Sequence, residues 1–423
     1  MASARIPLFA LVALAAVARL LLIGDESYWF DEIWALRQVR GDFGDVLASL
    51  AAEDVHPPLY PILLWAWTRL VGEGEAAVRL LSAIPGTLAV GLLFGIARRL
   101  YDQRTAILAA GFLALNGFAV FFSQEARAYA WMLMLALMAW WLLLRWVERP
   151  ESRGRMAAYV AGGAVLAYIH VFALFTLIAQ GLWVLWTQPR LRVRMIVAGA
   201  LVLALFSPWI PVMLGQVGRV QTGFWIDPLV WTDPGKWLWY WSGYSIPLAV
   251  ILPFLAIMGA RNLGGHGKLV LLWILIPLGV PVFLSVVGEP IFHHKYPIAI
   301  LGAYALLVAR GVQALPRERL LTGAVAALMV FALVREVYLR TDKEQYRELA
   351  AAADAAQHSQ GAVILTEPGM APYVTWYSTA PIISVATPQE LDAALMGQTH
   401  AALVMAHPTR SKLEKLLEDR ASD

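Results

Sequence analysis

The 423-residue sequence contains no cysteine. That removes disulfides, thiolate nucleophiles and cysteine-ligated zinc from consideration, and it leaves the redox compartment open. Charge is scarce as well: Asp, Glu, Lys and Arg make up 15% of the chain, against 60% hydrophobic residues. With a mean hydropathy of +0.62, this is too apolar for a soluble protein of its length. The net charge of +3 does not signal nucleic acid, because the arginines fall in short clusters between apolar runs rather than along one face. Residues 341–423 lack a Gly-rich phosphate loop, which argues against a nucleotide site there. What is present is a polytopic membrane protein, mainly α-helical, carrying 18 tryptophans.

Runs of about 20 apolar residues predict eleven transmembrane helices near 6–23, 78–99, 104–122, 127–146, 156–170, 171–187, 193–214, 243–261, 268–287, 296–313 and 319–337. The pair meeting at His170 is short for two spans, so it is expected either to tilt, to thin the bilayer locally or to fuse into one. Ala16-Val17-Ala18 resembles a cleavage site, but the hydrophobic run continues past it to Ile23, so the first helix is expected to stay uncleaved. Pro58 to Val71 is apolar but only about 14 residues long, the length of an interfacial helix. If it does not span, the clusters around Arg98, Arg145, Arg190, Arg261 and Arg310 share a side with the N-terminus, and the positive-inside rule makes that side cytoplasmic.

The outer face then holds residues 24–77, the turn Ser123–Arg127, a Trp-rich loop at 215–242, and 289–296. Beyond Arg340 the texture changes. A polar helix at 342–358, strands at 362–365, 382–385 and 401–405, helices near 371–378 and 388–396, and a final basic-acidic helix alternate as in a small parallel-sheet α/β domain. The expected organisation is a transmembrane part at 1–340 and an extracytoplasmic α/β domain at 341–423.

Tyr28-Trp29-Phe30-Asp31-Glu32 places two adjacent carboxylates among aromatics just after the first span. An acidic pair at the mouth of a membrane helix is costly to keep dry and no use as a lipid anchor, so chemistry at the membrane surface is its expected role. Asp31 is the first candidate for catalysis, and the alternative is a cap for a helix starting at Ile33. Arg79 and Arg127 lie at the outer ends of neighbouring spans, where a guanidinium either grips phosphate through a bidentate fork or snorkels to the interface. Glu125 is either a second acid or the ion-pair partner of Arg127. His56, before a rigid Pro-Pro, is one ligand of a divalent metal site at most. His293, His294 and Lys295 are either phosphate contacts or interfacial polar residues, and the tryptophans of 215–242 form an interfacial belt or a platform for an isoprenoid chain.

Four blocks, Trp29–Glu32, His56–Tyr60, Ala77–Gly86 and Phe122–Ala130, resemble in order and spacing the family 39 glycosyltransferases. These are integral membrane enzymes of GT-C fold, related to the protein O-mannosyltransferases and the lipid A aminoarabinose transferases. The resemblance implies a polyprenyl-phosphate sugar donor whose sugar passes with inversion to a lipid, polysaccharide or protein acceptor at the outer face. It also implies Asp31 as general base with Glu32 beside it, and Arg79 on the lipid phosphate. Some relatives have an acid–lysine pair where this chain has His56-Pro57, which puts metal dependence in doubt. The chemistry agrees: a glycosyl phosphate already carries a good leaving group, so one base and cations for the departing phosphate suffice. The other class to weigh is a polyprenyl-lipid carrier or flippase, which would need ionisable groups near the bilayer midplane, where this sequence has few.

Overall fold

The structure is a computed structural model that describes residues 2–221, 226–340 and 343–404. It opens with helix α1 (Ala2–Leu20) and three short helices, α2 (Phe30–Gln38), α3 (Phe43–Ala52) and α4 (Leu59–Val71). There follow α5 (Glu75–Leu100), α6 (Gln103–Leu115), α7 (Gly117–Phe121), α8 (Tyr129–Glu148), α9 (Arg153–Ile169) and α10 (Ala173–Thr187). Next come α11 (Arg192–Phe206), α12 (Ile210–Gln221), α13 (Asp233–Trp241), α14 (Ile246–Ala260), α15 (Gly267–Val287), α16 (Leu301–Ala314) and α17 (Glu318–Leu333). The chain then alternates: α18 (Tyr346–Gln360), β1 (Val363–Thr366), α19 (Ala371–Val374), β2 (Ile382–Ser384), α20 (Pro388–Leu395) and β3 (Ala401–Val404). Phe224, Trp225 and the expected final helix beyond Val404 lie outside the described residues.

The chain forms two compact units, one of residues 1–23 with 38–340, the other of residues 24–37 with the chain beyond 340. Segment 24–37, assigned by the sequence reading to the membrane part, thus belongs to the second unit.

In the first unit every one of the eleven expected segments is helical, but length separates them. Six stretches among the described residues are long and apolar enough to cross a bilayer: Glu75–Leu100, Tyr129–Glu148, Pro189–Gly218, Gly264–Val287, Tyr296–Ala314 and Glu318–Tyr338. A seventh arises if α13 and α14, bent by 89°, count as one broken span. The expected span 104–122 is split because the Asn116 side chain ends α6 and accepts the Ala119 N–H at 2.9 Å to start α7. Around His170 the chain makes two separate helices, α9 and α10, each under 18 residues. Helix α4 has 13 residues, about 20 Å at 1.5 Å per residue, which is short of the roughly 30 Å hydrocarbon core. Large apolar side chains such as Val193, Ile196 and Leu203 on α11 are exposed, as lipid-facing positions are. Gly259 of α14 and Gly311 of α16 let their helices approach backbone to backbone; a Cβ at either would collide with a main-chain carbonyl of the other helix.

The second unit contains a three-stranded parallel sheet in the order β2-β1-β3. Ile364 and Leu365 of the central strand are buried, and Leu391 of α20 packs with Leu365 and Val385. Thr387 and Glu390 form a capping box at the start of α20, with Pro388 in its first turn. On this unit lies the stretch before α2. Phe30 packs on Tyr373 with ring centroids 4.5 Å apart, Tyr28 meets Trp376 edge-on, and the Tyr28 N–H donates to the Tyr377 hydroxyl at 2.8 Å.

Candidate active site

The acidic motif sits in the first turn of α2, which starts three residues earlier than the cap reading expected. Trp29 is its N-cap, since the Ile33 N–H donates to the Trp29 carbonyl at 3.1 Å. The capping role falls to Glu32, not Asp31: the Glu32 carboxylate, fully buried, accepts the Trp29 N–H at 3.4 Å. Asp31, one position earlier, is half-buried. Its charge is favoured by the helix N-terminus, and it helps to push the Tyr373 hydroxyl above its ordinary pKa after the larger effect of burial. The segment is tied down at its start by Ser27 Oγ donating to the Glu344 carbonyl (3.1 Å) and by a Lys343–Glu26 pair at 3.8 Å.

The other candidates belong to the first unit. Arg79 of α5 is 1% exposed and donates through Nη1 to the Ile23 carbonyl at 3.0 Å, so it does not snorkel into water. The turn Ser123–Arg127 is held from three sides. Arg19 Nε donates to Ser123 Oγ at 3.1 Å, Gln124 Nε2 donates to the Leu21 carbonyl at 2.7 Å, and Ser82 Oγ donates to the Arg127 carbonyl at 3.1 Å. Glu125 within it is buried and Arg127 half-buried. Lys295 is buried with its ammonium 5.5 Å from the Tyr129 ring centroid. His294 is taken up by packing: its ring stacks on Tyr240 at 3.5 Å and 4°, and burial, then His293 and Lys295, push its pKa down to about 2. In the aromatic stretch, Trp237 packs on Phe292 and Trp241 is buried, whereas Trp231 is 91% exposed.

His56 has a partner the sequence reading missed. Its Nδ1 lies 2.7 Å from Asp54 Oδ1, an oxygen that also accepts the Val55 and His56 N–H groups. Burial opposes ionisation of Asp54. His56, the positive Arg127 and the backbone donor outweigh it and hold the carboxyl well below its usual range. The His56 ring meets that of His170 at 5.5 Å. His170 is 2% exposed, and burial first, then the charges of His56, Arg127 and Lys295, lower its pKa well below 6.5. Both histidines line a cavity of about 400 Å³ walled by α12, α15 and the loop before α4. The structure therefore gathers His56, Arg127 and Lys295 around Asp54 and His170. A carboxylate two residues before a histidine was the available signal for Asp54; Arg19, a charge inside an apolar run, was the signal for the anchor of the turn.

These residues do not form a metal site of ordinary composition. The Phe172 N–H donates to His170 Nδ1 at 3.2 Å, which leaves the proton on Nε2 and no lone pair there for a cation. His56 Nδ1 is engaged by Asp54, and among the described residues no three His, Asp or Glu side chains converge as ligands would.

Residues 55–211 match the family described as dolichyl-phosphate-mannose-protein mannosyltransferase. No curated protein sequence matches the chain. Among solved structures, the fold is similar to ArnT from Cupriavidus metallidurans bound to undecaprenyl phosphate, with a TM-score of 0.59 at 16% identity over 94% of this chain and 89% of that one. It is also similar to the Archaeoglobus fulgidus oligosaccharyltransferase in complex with Zn and sulfate, with a TM-score of 0.54 at 13% identity over 89% of this chain and 62% of that one. The fold is thus shared along nearly the whole chain with ArnT, and the match to the mannosyltransferase family lies within it at residues 55–211.

Proposed function

We infer that the protein transfers a sugar from a polyprenyl-phosphate-linked donor to an acceptor at the outer face of the cytoplasmic membrane, with inversion at the anomeric carbon. The observation that carries this reading is the fold it shares along 94% of its length with a protein solved with undecaprenyl phosphate bound. In this reading Asp31 takes the proton of the attacking acceptor, and Glu32 fixes the turn that presents it. The departing lipid phosphate needs cations rather than an acid. Arg79, Arg127 and Lys295 supply them, with Glu125 holding the charge balance of the turn. The N-terminus is cytoplasmic and the α/β layer extracytoplasmic, because the arginine clusters between spans then lie inside.

A carrier without chemistry would need ionisable groups free to change partners within the bilayer. The buried Arg19 does not serve, because its guanidinium is committed to Ser123 Oγ and to the carbonyls of Ala15, Leu113 and Ala114. The test is incubation of the purified protein in lipid nanodiscs with polyprenyl-phosphate hexoses and pentoses, followed by mass spectrometry of the lipid. Acceptor-dependent release of free polyprenyl phosphate is expected. Movement of intact donor between leaflets without loss of sugar would sink the reading and favour the carrier.

A further inference from the structure

A second cavity, of about 370 Å³, lies between α10 and α11 and shares no lining residue with the cavity beside Asp54. Its walls are apolar, with Leu177 and Leu185 on α10 and Ile196, Val202 and Leu203 on α11. Tyr159 of α9 also lines it, and the Tyr159 hydroxyl is committed to Gln180 Oε1 at 2.9 Å. Glycines make the room: Gly181 and Gly199 line the cavity, and a Cβ built on Gly199 would stand in open space. Ile178, Ile196 and Leu203 are exposed, so the cavity opens on a face whose neighbour is lipid. Leu174 to Leu185 on one wall and Met195 to Phe206 on the other each cover about 16 Å of helix at about 1.5 Å per residue. That is the depth of one leaflet in a hydrocarbon core roughly 30 Å thick. An acyl chain fits a slot of this length and composition.

The end of the slot at Leu185 is positively charged. Arg192 Nε donates to the Leu185 carbonyl at 2.8 Å, which holds the guanidinium at the mouth, and its two terminal nitrogens have no protein partner among the described residues. The Lys268 ammonium stands 4.2 Å from the ring centroid of Trp186, the next residue of α10. Both cations and the indole are exposed, as a tryptophan with a basic neighbour is at the membrane–water boundary. The segment that builds the walls has no carboxylate to offset this charge: residues 152–226 contain no Asp or Glu, and Glu151 at its edge pairs with Arg194. A guanidinium with both terminal nitrogens open takes a phosphate through a bidentate fork.

We propose that this slot seats one acyl chain of an anionic glycerophospholipid, whose phosphodiester lies in the fork of Arg192 with Lys268 at the same end. In the orientation argued above, that end faces the cytoplasm, so the lipid belongs to the inner leaflet, whereas the phosphate of the sugar donor sits at the outer face. A slot one leaflet deep, with its cations at the inner boundary, suits a bilayer lipid rather than a long polyprenyl chain. The site goes beyond sugar transfer, and the bound lipid ties α10 to α11.

The experiment uses the full-length protein in nanodiscs doped with phosphatidylglycerol or phosphatidylcholine, each carrying the same diazirine-bearing acyl chain. The phosphatidylglycerol probe should label peptides 174–185 and 195–206 at roughly tenfold lower concentration than the phosphatidylcholine probe, the scale of one charge-assisted contact. Arg192→Gln should reduce that preference to about one, and Arg192→Lys should restore part of it. Gly199→Leu fills the slot and should abolish labelling of these peptides by both probes, with a melting curve beside it to show the fold retained. Arg192→Gln alters an exposed side chain and decides the matter by itself if Gly199→Leu proves unstable. Equal labelling by the two probes in the parent protein, or a preference that survives Arg192→Gln, overturns the proposal. So does labelling of these peptides that persists in a folded Gly199→Leu. Stronger labelling by a photoactivatable undecaprenyl phosphate assigns the slot to a polyprenyl chain and also overturns it. Labelling is read without sugar transfer, so failure here leaves the glycosyl-transfer reading standing.

Discussion

Arg19 Nε donates to Ser123 Oγ at 3.1 Å, joining the end of the first helix to a turn more than a hundred residues away. Gly86 of α5 packs against the same contact: a Cβ there would run into Ser123 Oγ and stand 3.0 Å from Arg19 Nε. Gly86→Ala is therefore expected to displace the turn that carries Glu125 and Arg127. An overpacking cost of about 1–3 kcal/mol should appear as a lowered melting temperature in nanodiscs, together with reduced turnover. An unchanged melting temperature would show that the turn yields freely.

Asp31 and Glu32 should separate by substitution. Asp31→Asn keeps the shape and removes the proposed base, so turnover should fall by on the order of a hundredfold or more with an unchanged melting curve. Glu32→Ala removes the contact to the Trp29 N–H and should cost about 1 kcal/mol of stability. If Asp31→Asn retains activity, proton transfer belongs to another group.

Arg79→Ala and Arg127→Ala should each lose about 2–4 kcal/mol of transition-state binding, roughly thirty- to a thousandfold in kcat/KM. Lysine at either position should recover only part, since a point charge cannot reproduce a bidentate fork. Donor binding and turnover, measured beside a melting curve, separate phosphate recognition from packing. A variant that lowers only the melting temperature assigns that arginine to the fold.

Membrane orientation is testable in this cysteine-free chain. Single cysteines at the exposed positions Ala52, Asp227 and Ser359 should react with an impermeant thiol reagent added outside, and those at Glu151 and Gly265 should not. Labelling at Glu151 and Gly265 with protection of Asp227 and Ser359, while Ala52 still reacts, would mean that α4 crosses the bilayer.

Asp354 of α18 predicts a pH dependence of the α/β layer. Its carboxylate accepts Ser378 Oγ at 2.6 Å and the Ala380 N–H at 3.0 Å, with Thr379 alongside. The Ser378 bond is the largest cause of its lowered pKa, opposed by slight desolvation. A group whose folded pKa is depressed contributes stability above its unfolded pKa of 3.8 and loses it as pH falls through the folded value. Amide hydrogen exchange at 376–382 should therefore accelerate below about pH 4 in the parent and be insensitive to that step in Asp354→Ala. Equal acid sensitivity in both would exclude Asp354 as the titrating group.

Much of this was legible because local rules wrote it. Apolar runs gave the positions of the helices, since lipid requires every backbone polar group to be satisfied within its own segment. The short apolar stretches at 363–366, 382–384 and 401–404 were readable to within a residue or two, because runs of that length between turn residues have few alternatives. The candidate residues Asp31, Arg79, Arg127 and Lys295 stood out because charge is rare in so apolar a chain.

What only the tertiary structure decided depends on partners far apart in sequence. The division of α6 from α7, and of α9 from α10, follows from how Asn116 and His170 meet neighbouring segments, and hydropathy averages over such breaks. The packing of the acidic segment on Tyr373 and Tyr377 pairs residues more than three hundred positions apart, a contact no local pattern encodes. The roles of the histidines turn on single hydrogen bonds: Asp54 fixes the proton of His56, and the Phe172 N–H fixes that of His170. Composition determined that this is a membrane protein and where charge must be scarce, because burial energy scales with apolar content whatever the order of contacts. Which nitrogen donates and which carboxylate caps was decided by geometry, because a hydrogen bond depends on tenths of an ångström that sequence spacing does not set.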